Sequence, residues 1–148
     1  MSQNSTKPDK PGQVADAMTG NWVDSFAPIK LRPYLRLSRA DRPIGTWLLL
    51  IPCWWGLLIG ILEDEKVLAN DFWLLFSCSI GAFLMRGAGC TWNDILDRKI
   101  DGAVERTRSR PIPSGQVNLT QAIIWMIVQI GLAGTILLSY NLISIILG

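Results

Sequence analysis

The chain has no histidine, only three cysteines, and long stretches without a single charge. With no imidazole, Ser-His-Asp and Cys-His catalysis and histidine metal ligation are excluded. Cys53, Cys78 and Cys90 are odd in number, form no CxxC pair and sit in or beside apolar runs. They give no disulfide framework and read as small buried hydrophobes. Charged residues make up 18% of the 148, below the ~25% usual for a soluble domain. All 14 Lys and Arg and all 12 Asp and Glu fall before residue 43, in 63–71 or in 86–110, so that 43–62, 72–85 and 111–148 are uncharged. A water-soluble fold scatters charges along every surface helix, so this pattern belongs to a membrane protein. The 49% hydrophobic content excludes disorder for most of the chain. A net charge of +2 without a basic stripe gives no sign of a nucleic-acid partner.

What is present organises into an all-α, polytopic helix bundle. Residues 1–28 read as a disordered polar tail, and 29–148 as the transmembrane part. Ile29–Leu37 mixes arginine with apolar residues and is expected to lie along the headgroups. Span 1 is expected at 43–62, with Pro52 inside it and a Gly56–Gly60 pair suited to close helix approach. Span 2 is expected at 72–90 and span 3 at 119–138, the latter capped by Asn118. Twenty residues of helix match the ~30 Å hydrocarbon core. A fourth apolar run starts at 141 and reaches only Gly148, so the chain is expected to be a fragment ending partway through a helix.

Basic residues set the orientation. Lys30, Arg32, Arg36, Arg39 and Arg42 precede span 1, and Arg98, Lys99, Arg106, Arg108 and Arg110 follow span 2, whereas only Lys66 follows span 1. Positive residues stay inside, so the N-terminus and the 91–118 loop are expected in the cytoplasm. No apolar signal core follows the first basic residues. Asp9, Asp16 and Asp24 without arginine argue against a mitochondrial presequence, so a bacterial inner membrane is expected.

The polar stretch after span 2 carries the chemistry. Asn93, Asp94, Asp97 and Asp101 fall within an arc of about 100° if span 2 continues as a helix. Like charges at that spacing repel, more so where screening is poor, and a cation relieves them. Carboxylate oxygens suit Mg²⁺, which takes one or two of them and fills its shell with water and phosphate oxygens. Arg98, Lys99, Arg106, Arg108 and Arg110 add phosphate-binding charge. The bland alternative is a solvated loop laced with ion pairs. A calcium loop of the EF-hand type lacks its Glu and its central Gly. Arg86 is either a residue snorkelling to the interface or a substrate contact. Trp47, Trp54, Trp55 and Trp73 read as interface anchors.

Asn93-Asp94-x-x-Asp97-x-x-x-Asp101, followed by Thr107-Arg-Ser-Arg-Pro-Ile-Pro-Ser-Gly115, resembles the first Asp-rich motif of the UbiA family of intramembrane aromatic prenyltransferases. The run Leu37-Ser-Arg-Ala-Asp-Arg-Pro-Ile-Gly-Thr-Trp, with Pro52-Cys-Trp-Trp-Gly56, is similar to the ubiquinone branch of that family. The resemblance implies a nine-helix bundle around a lipid-open cavity. It implies transfer of a polyprenyl group from polyprenyl diphosphate to the ring of 4-hydroxybenzoate, with Mg²⁺ as cofactor. Asp94, Asp97 and Asp101 would then be metal ligands and catalytic residues. Asn93, Arg98, Lys99, Arg106 and Arg110 would contact the diphosphate side of the substrate, and Arg42 a substrate carboxylate. Naphthoate, homogentisate, haem or chlorin acceptors remain alternatives within the family. The second Asp-rich motif is not in this sequence, so the chain alone is expected to be inactive, and a noncatalytic membrane fragment stays open.

Overall fold

The structure, a computed structural model, describes residues 20–147. It contains six helices and, among the described residues, no strand: α1 Trp22–Phe26, α2 Arg32–Leu37, α3 Ile44–Asp64, α4 Ala69–Ala103, α5 Leu119–Leu137 and α6 Leu142–Leu147. The helices α3, α4 and α5 are long and apolar enough to cross a membrane. The helices α3 and α5 lie within two residues of the runs expected at 43–62 and 119–138, while α4 contains the run expected at 72–90 and extends past it at both ends.

Local chemistry sets the boundaries. At α3 the helix ends on Glu65 in the left-handed region (φ 50°). The Asp71 carboxylate accepts from the Leu68 backbone N–H at 2.7 Å and so fixes the start of α4. Asn118 and Gln121 cap α5 reciprocally, Asn118 Oδ1 accepting from Gln121 N at 2.8 Å and Gln121 Oε1 from Asn118 N at 3.0 Å. The expected continuation of span 2 is borne out, since α4 runs on without a break to Ala103. Its 35 residues reach roughly 52 Å, well beyond the ~30 Å hydrocarbon core. Its C-terminal part therefore projects from the bilayer and carries the acidic motif.

Two differences from the sequence reading have clear physical reasons. Of the expected tail, residues 1–19 lie outside the described residues, but α1 forms where a disordered tail was expected. No periodicity marks this five-residue helix. A local N-cap, Asn21 accepting from Asp24 N at 3.0 Å, starts it, and tertiary contacts hold it: Trp22 Nε1 donates to Ala40 O at 2.7 Å, Arg36 pairs with Asp24 at 2.5 Å, and Val23 is fully buried. The second difference is the Gly56–Gly60 pair, which faces open space rather than another helix among the described residues. The approach comes at the other end of α3, where the Arg86 guanidinium of α4 lies so close to Gly45 that a Cβ there would sit 2.3 Å from Nε.

The helix α4 packs against α3, α5 and α2, and α2 also touches α5. A small core of Leu37, Ile95, Val117 and Ala122, flanked by Tyr34, Ile112 and Met126, joins α2, α4, the 104–118 loop and α5. Ser38 ties the same elements together, accepting from Trp125 Nε1 and Gln129 Nε2, each at 2.8 Å. Gly87 of α4 makes room for this node. A Cβ there would lie 2.4 Å from Gln129 Nε2 and 2.9 Å from Ser38 Cβ. Gly87→Ala is therefore expected to destabilise the protein by about 1–3 kcal/mol through overpacking, although alanine is the better helix former. Thermal unfolding in detergent checks this, with Gly81→Ala as control, since nothing lies within 4 Å of a Cβ at Gly81.

Candidate functional site

At the projecting end of α4 the acidic motif meets the segment before α3 and the loop after α4. Asp94 and Asp101 point inward and Asn93 and Asp97 outward: Asp94 is 1% exposed and Asp101 7%, while Asn93 and Asp97 are exposed. The expected arc exists but is divided along its length. Arg39 Nη2 donates to Asp94 Oδ1 at 2.6 Å. Arg110 Nη1 bridges the two buried carboxylates, 2.8 Å from Asp101 Oδ2 and 3.5 Å from Asp94 Oδ1. The N-terminal flank and the post-α4 loop thus meet on one side of the spans, as the alternating charge pattern required.

Carboxylates near a helix C-terminus oppose its macrodipole. Asp101 stands two residues from the end of α4 and is held there by Arg110, with the loop folded back through Thr107 Oγ1 donating to Asp101 O at 3.0 Å. Such breaches of local preference cluster at functional sites. Arg39 is another. It lies in the left-handed region (φ 55°), which non-glycine residues rarely adopt. It occupies the position after the α2 cap usually taken by glycine, with Ala40 N donating to Leu35 O at 3.0 Å and Arg39 N to Arg36 O at 3.1 Å.

The other expected contacts are distributed less tightly. Arg42 pairs with the buried Asp41, Nη2 to Oδ2 at 3.2 Å. Arg98 donates to the Ile95 carbonyl at 2.7 Å, within its own helix. Lys99 and Arg106 are exposed, and neither they nor Asn93 nor Asp97 make an ion pair with the cluster among the described residues. Lys99 stands two residues beyond Asp97, so the helix turns it about 160° away. Arg39 is the residue of this cluster that sequence reasoning missed. The signal was there, in the Leu37-Ser-Arg-Ala-Asp-Arg-Pro run, but Arg39 read as one of five flank charges.

Among the described residues no three acidic or thiol groups converge as a metal cage. The donor set nonetheless fits a cation arriving on a polyanion. Such a cation takes one or two carboxylates, and α4 offers Asp97 on its outer edge and Asp94 and Asp101 on its inner edge, the latter two with guanidiniums within 2.6–3.5 Å.

Residues 49–148 match the UbiA prenyltransferase family. The chain belongs to that family. Its UbiA relatives include 4-hydroxybenzoate polyprenyltransferase, mitochondrial, of Rattus norvegicus, 48% identical over 126 residues, 85% of this chain and 33% of that protein. The protein of the same name from Homo sapiens is 45% identical over 141 residues, 95% of this chain and 37% of that one. The one from Arabidopsis thaliana is 45% identical over 128 residues, 86% and 31%. The chain spans about a third of the length of these relatives. No solved structure matches it. The names correct one expectation: the relatives are mitochondrial, so the bacterial inner membrane, and with it a cytoplasmic N-terminus and 91–118 loop, is withdrawn. Charge asymmetry reports which side of a bilayer a loop occupies, not which bilayer it is. The multi-pass arrangement stands.

Proposed function

We propose that this UbiA chain forms the first Asp-rich half of an enzyme that transfers a polyprenyl group from polyprenyl diphosphate to the ring of 4-hydroxybenzoate in ubiquinone biosynthesis, in a mitochondrial membrane. The observation that carries this reading is the inward edge of α4, where Asp94 and Asp101 meet Arg39 and Arg110, with the exposed Asp97 beside it on the same helical arc. The names of the relatives supply the substrates.

In this reading Asp94, Asp97 and Asp101 would hold a Mg²⁺ ion, which when bound would supply positive charge to the diphosphate oxygens. Asn93, Arg98, Arg106 and Arg110 lie on or beside the same helix end and hold the diphosphate, and Arg42 is a candidate for the benzoate carboxylate. Lys99, turned to the far face, is left out of the contact set. The cation cluster stabilises charge building on the leaving group. The allylic C–O bond breaks with both electrons going to diphosphate. The ring carbon beside the phenol oxygen forms the new C–C bond, and its proton leaves to restore aromaticity. No protein nucleophile is called for, in keeping with a chain that has no histidine.

The prenyl tail has an apolar place to lie. A cavity of about 470 Å³ opens between α3, α4 and α5, lined by Leu49, Ala82, Met85, Ile130 and Ala133 and by Ser77 and Tyr140, whose hydroxyls are hydrogen-bonded at 2.7 Å. Along α4 the cavity begins at Met85, roughly 14 Å from Asp94. Dry walls of this kind keep water from an allylic cation.

The test is an assay of the protein expressed from its complete gene, in nanodiscs, with polyprenyl diphosphate, 4-hydroxybenzoate and Mg²⁺. Prenylated 4-hydroxybenzoate and free diphosphate in equal amounts, lost on chelation of the metal, are expected. Turnover only with a naphthoate or another acceptor would overturn the substrate assignment, and turnover with none would overturn the enzyme reading.

A further inference from the structure

The inward edge of α4 carries a cluster of paired charges. Two carboxylates, Asp94 and Asp101, meet two guanidiniums, Arg39 and Arg110, with Arg110 reaching both acids. All four side chains are sheltered, at 1%, 9%, 12% and 17% exposure respectively, so their interactions are screened less than those of surface pairs. A divalent cation arriving alone meets two guanidiniums that already neutralise the acids. A diphosphate arriving alone meets two carboxylates that already occupy the arginines. Arriving together, each supplies what the other displaces: the cation replaces guanidinium on the carboxylates, and phosphate oxygens replace carboxylate on the guanidiniums. Arginine binds both oxyanions with the same planar fork.

We propose that Arg39 and Arg110 are placeholder cations on the Asp-rich edge, released to the diphosphate only when a divalent cation takes their place on the carboxylates. Cation and diphosphate therefore bind as a cooperative pair. This rests on the metal–diphosphate reading above and adds how that site assembles. Arg110 is suited to the exchange because its loop is anchored independently of its guanidinium. Its own carbonyl accepts from Ser114 Oγ at 2.6 Å, and Thr107 Oγ1 holds the loop to α4 at 3.0 Å. The side chain can change partner without unfolding the segment. Arg39 reaches Asp94 from a strained backbone on a different element, so the exchange also loosens the flank from α4.

The experiment measures Mn²⁺ binding by the paramagnetic resonance of the free ion, with and without inorganic pyrophosphate, in the purified protein and in Arg110→Gln and Arg39→Gln. In the unmodified protein pyrophosphate is expected to tighten Mn²⁺ binding by a factor within about 5–150. Arg110→Gln, which leaves Asp94 its Arg39 partner, is expected to bind Mn²⁺ alone about 5-fold or more tighter and to gain much less from pyrophosphate. Because the complex of Mn²⁺ with pyrophosphate in solution is common to all samples, the ratio between variants is free of it. Arg39→Gln keeps a polar contact to Asp94 and provides a second, independent reading of the same change. If both variants bind Mn²⁺ alone as the unmodified protein does, while pyrophosphate still assembles the ion, placeholding is overturned and the metal–diphosphate reading stands. If no sample binds Mn²⁺ under either condition, that reading falls and placeholding with it.

Discussion

Asp97→Asn is expected to lower prenyl transfer by about 100-fold or more while leaving the unfolding temperature within a degree or two of the unmodified protein. Asp97 is exposed on the outer part of the acidic arc and holds no ion pair among the described residues, so its charge has no structural duty to lose. Loss of a metal-facing carboxylate at the step where charge builds on the leaving group removes about 2.7 kcal/mol or more of transition-state stabilisation, each tenfold in rate being 1.36 kcal/mol. Glu105→Gln is the control. Glu105 is also exposed and lies just beyond the end of α4 at Ala103, and a surface charge of that kind contributes about 1 kcal/mol or less. Asp101→Asn is expected to combine both effects, since Asp101 also anchors Arg110 at 2.8 Å. The rate is read at several Mg²⁺ concentrations, beside a thermal melt. Partial rescue of Asp97→Asn by raised Mg²⁺, with no response from Glu105→Gln, identifies weakened metal affinity as the defect. Equal small losses at 97, 101 and 105 would mean that the motif acts only as a diffuse negative field, and the ligand assignment would have to be dropped.

That contrast also shows where sequence reasoning reached its limit. The spans were legible because uncharged runs of helix length have few physical solutions in water, and the cap at Asn118 follows from side-chain chemistry one turn away, whereas the part Asp71 plays at the start of α4 was not read. The extension of α4 was legible from the spacing of Asn93, Asp97 and Asp101, which makes sense only on a helix. Periodicity says which residues share an arc, but not what stands opposite that arc. The division of the motif into an inward pair and an outward pair depends on Arg39, 55 residues upstream of Asp94. That pairing is a tertiary contact with no local signature. The same limit hid α1, whose five residues are held by Ala40, Arg36 and a buried Val23 rather than by their own helix propensity. Nor does the Gly56–Gly60 spacing say which glycine of α3 meets a neighbour among the described residues, and there it is Gly45, under the Arg86 guanidinium.

Arg39 carries the second large expectation, because its backbone and its side chain pull in opposite directions. Its φ of 55° places an L-residue in the left-handed region, at a cost of about 1–2 kcal/mol that glycine avoids. Its guanidinium holds Asp94, and the side chains are 12% and 1% exposed. Removing one partner of a buried ion pair costs about 3–5 kcal/mol, because the remaining charge is stranded. Arg110, 3.5 Å from the same carboxylate oxygen, moderates that loss toward its lower end. Arg39→Ala keeps the backbone cost and loses the pair, so it is expected to be the least stable form. Arg39→Gly loses the same pair but relieves the backbone, and is expected to recover about 1 kcal/mol relative to Arg39→Ala. Prenyl transfer should fall equally in both, since neither retains a guanidinium, and the order of activities then departs from the order of stabilities. Denaturant unfolding in mixed micelles gives the first order, and kcat/KM of the folded fraction gives the second. Adding Asp94→Asn to either variant should cost much less than it does alone, because contacting residues are not additive. If Arg39→Gly unfolds at the same point as the unmodified protein, the ion pair contributes no more than the roughly 1 kcal/mol of backbone relief that glycine brings, far below a buried pair. If Arg39→Gly and Arg39→Ala are equally stable, the left-handed turn after α2 is not the conformation that the protein adopts.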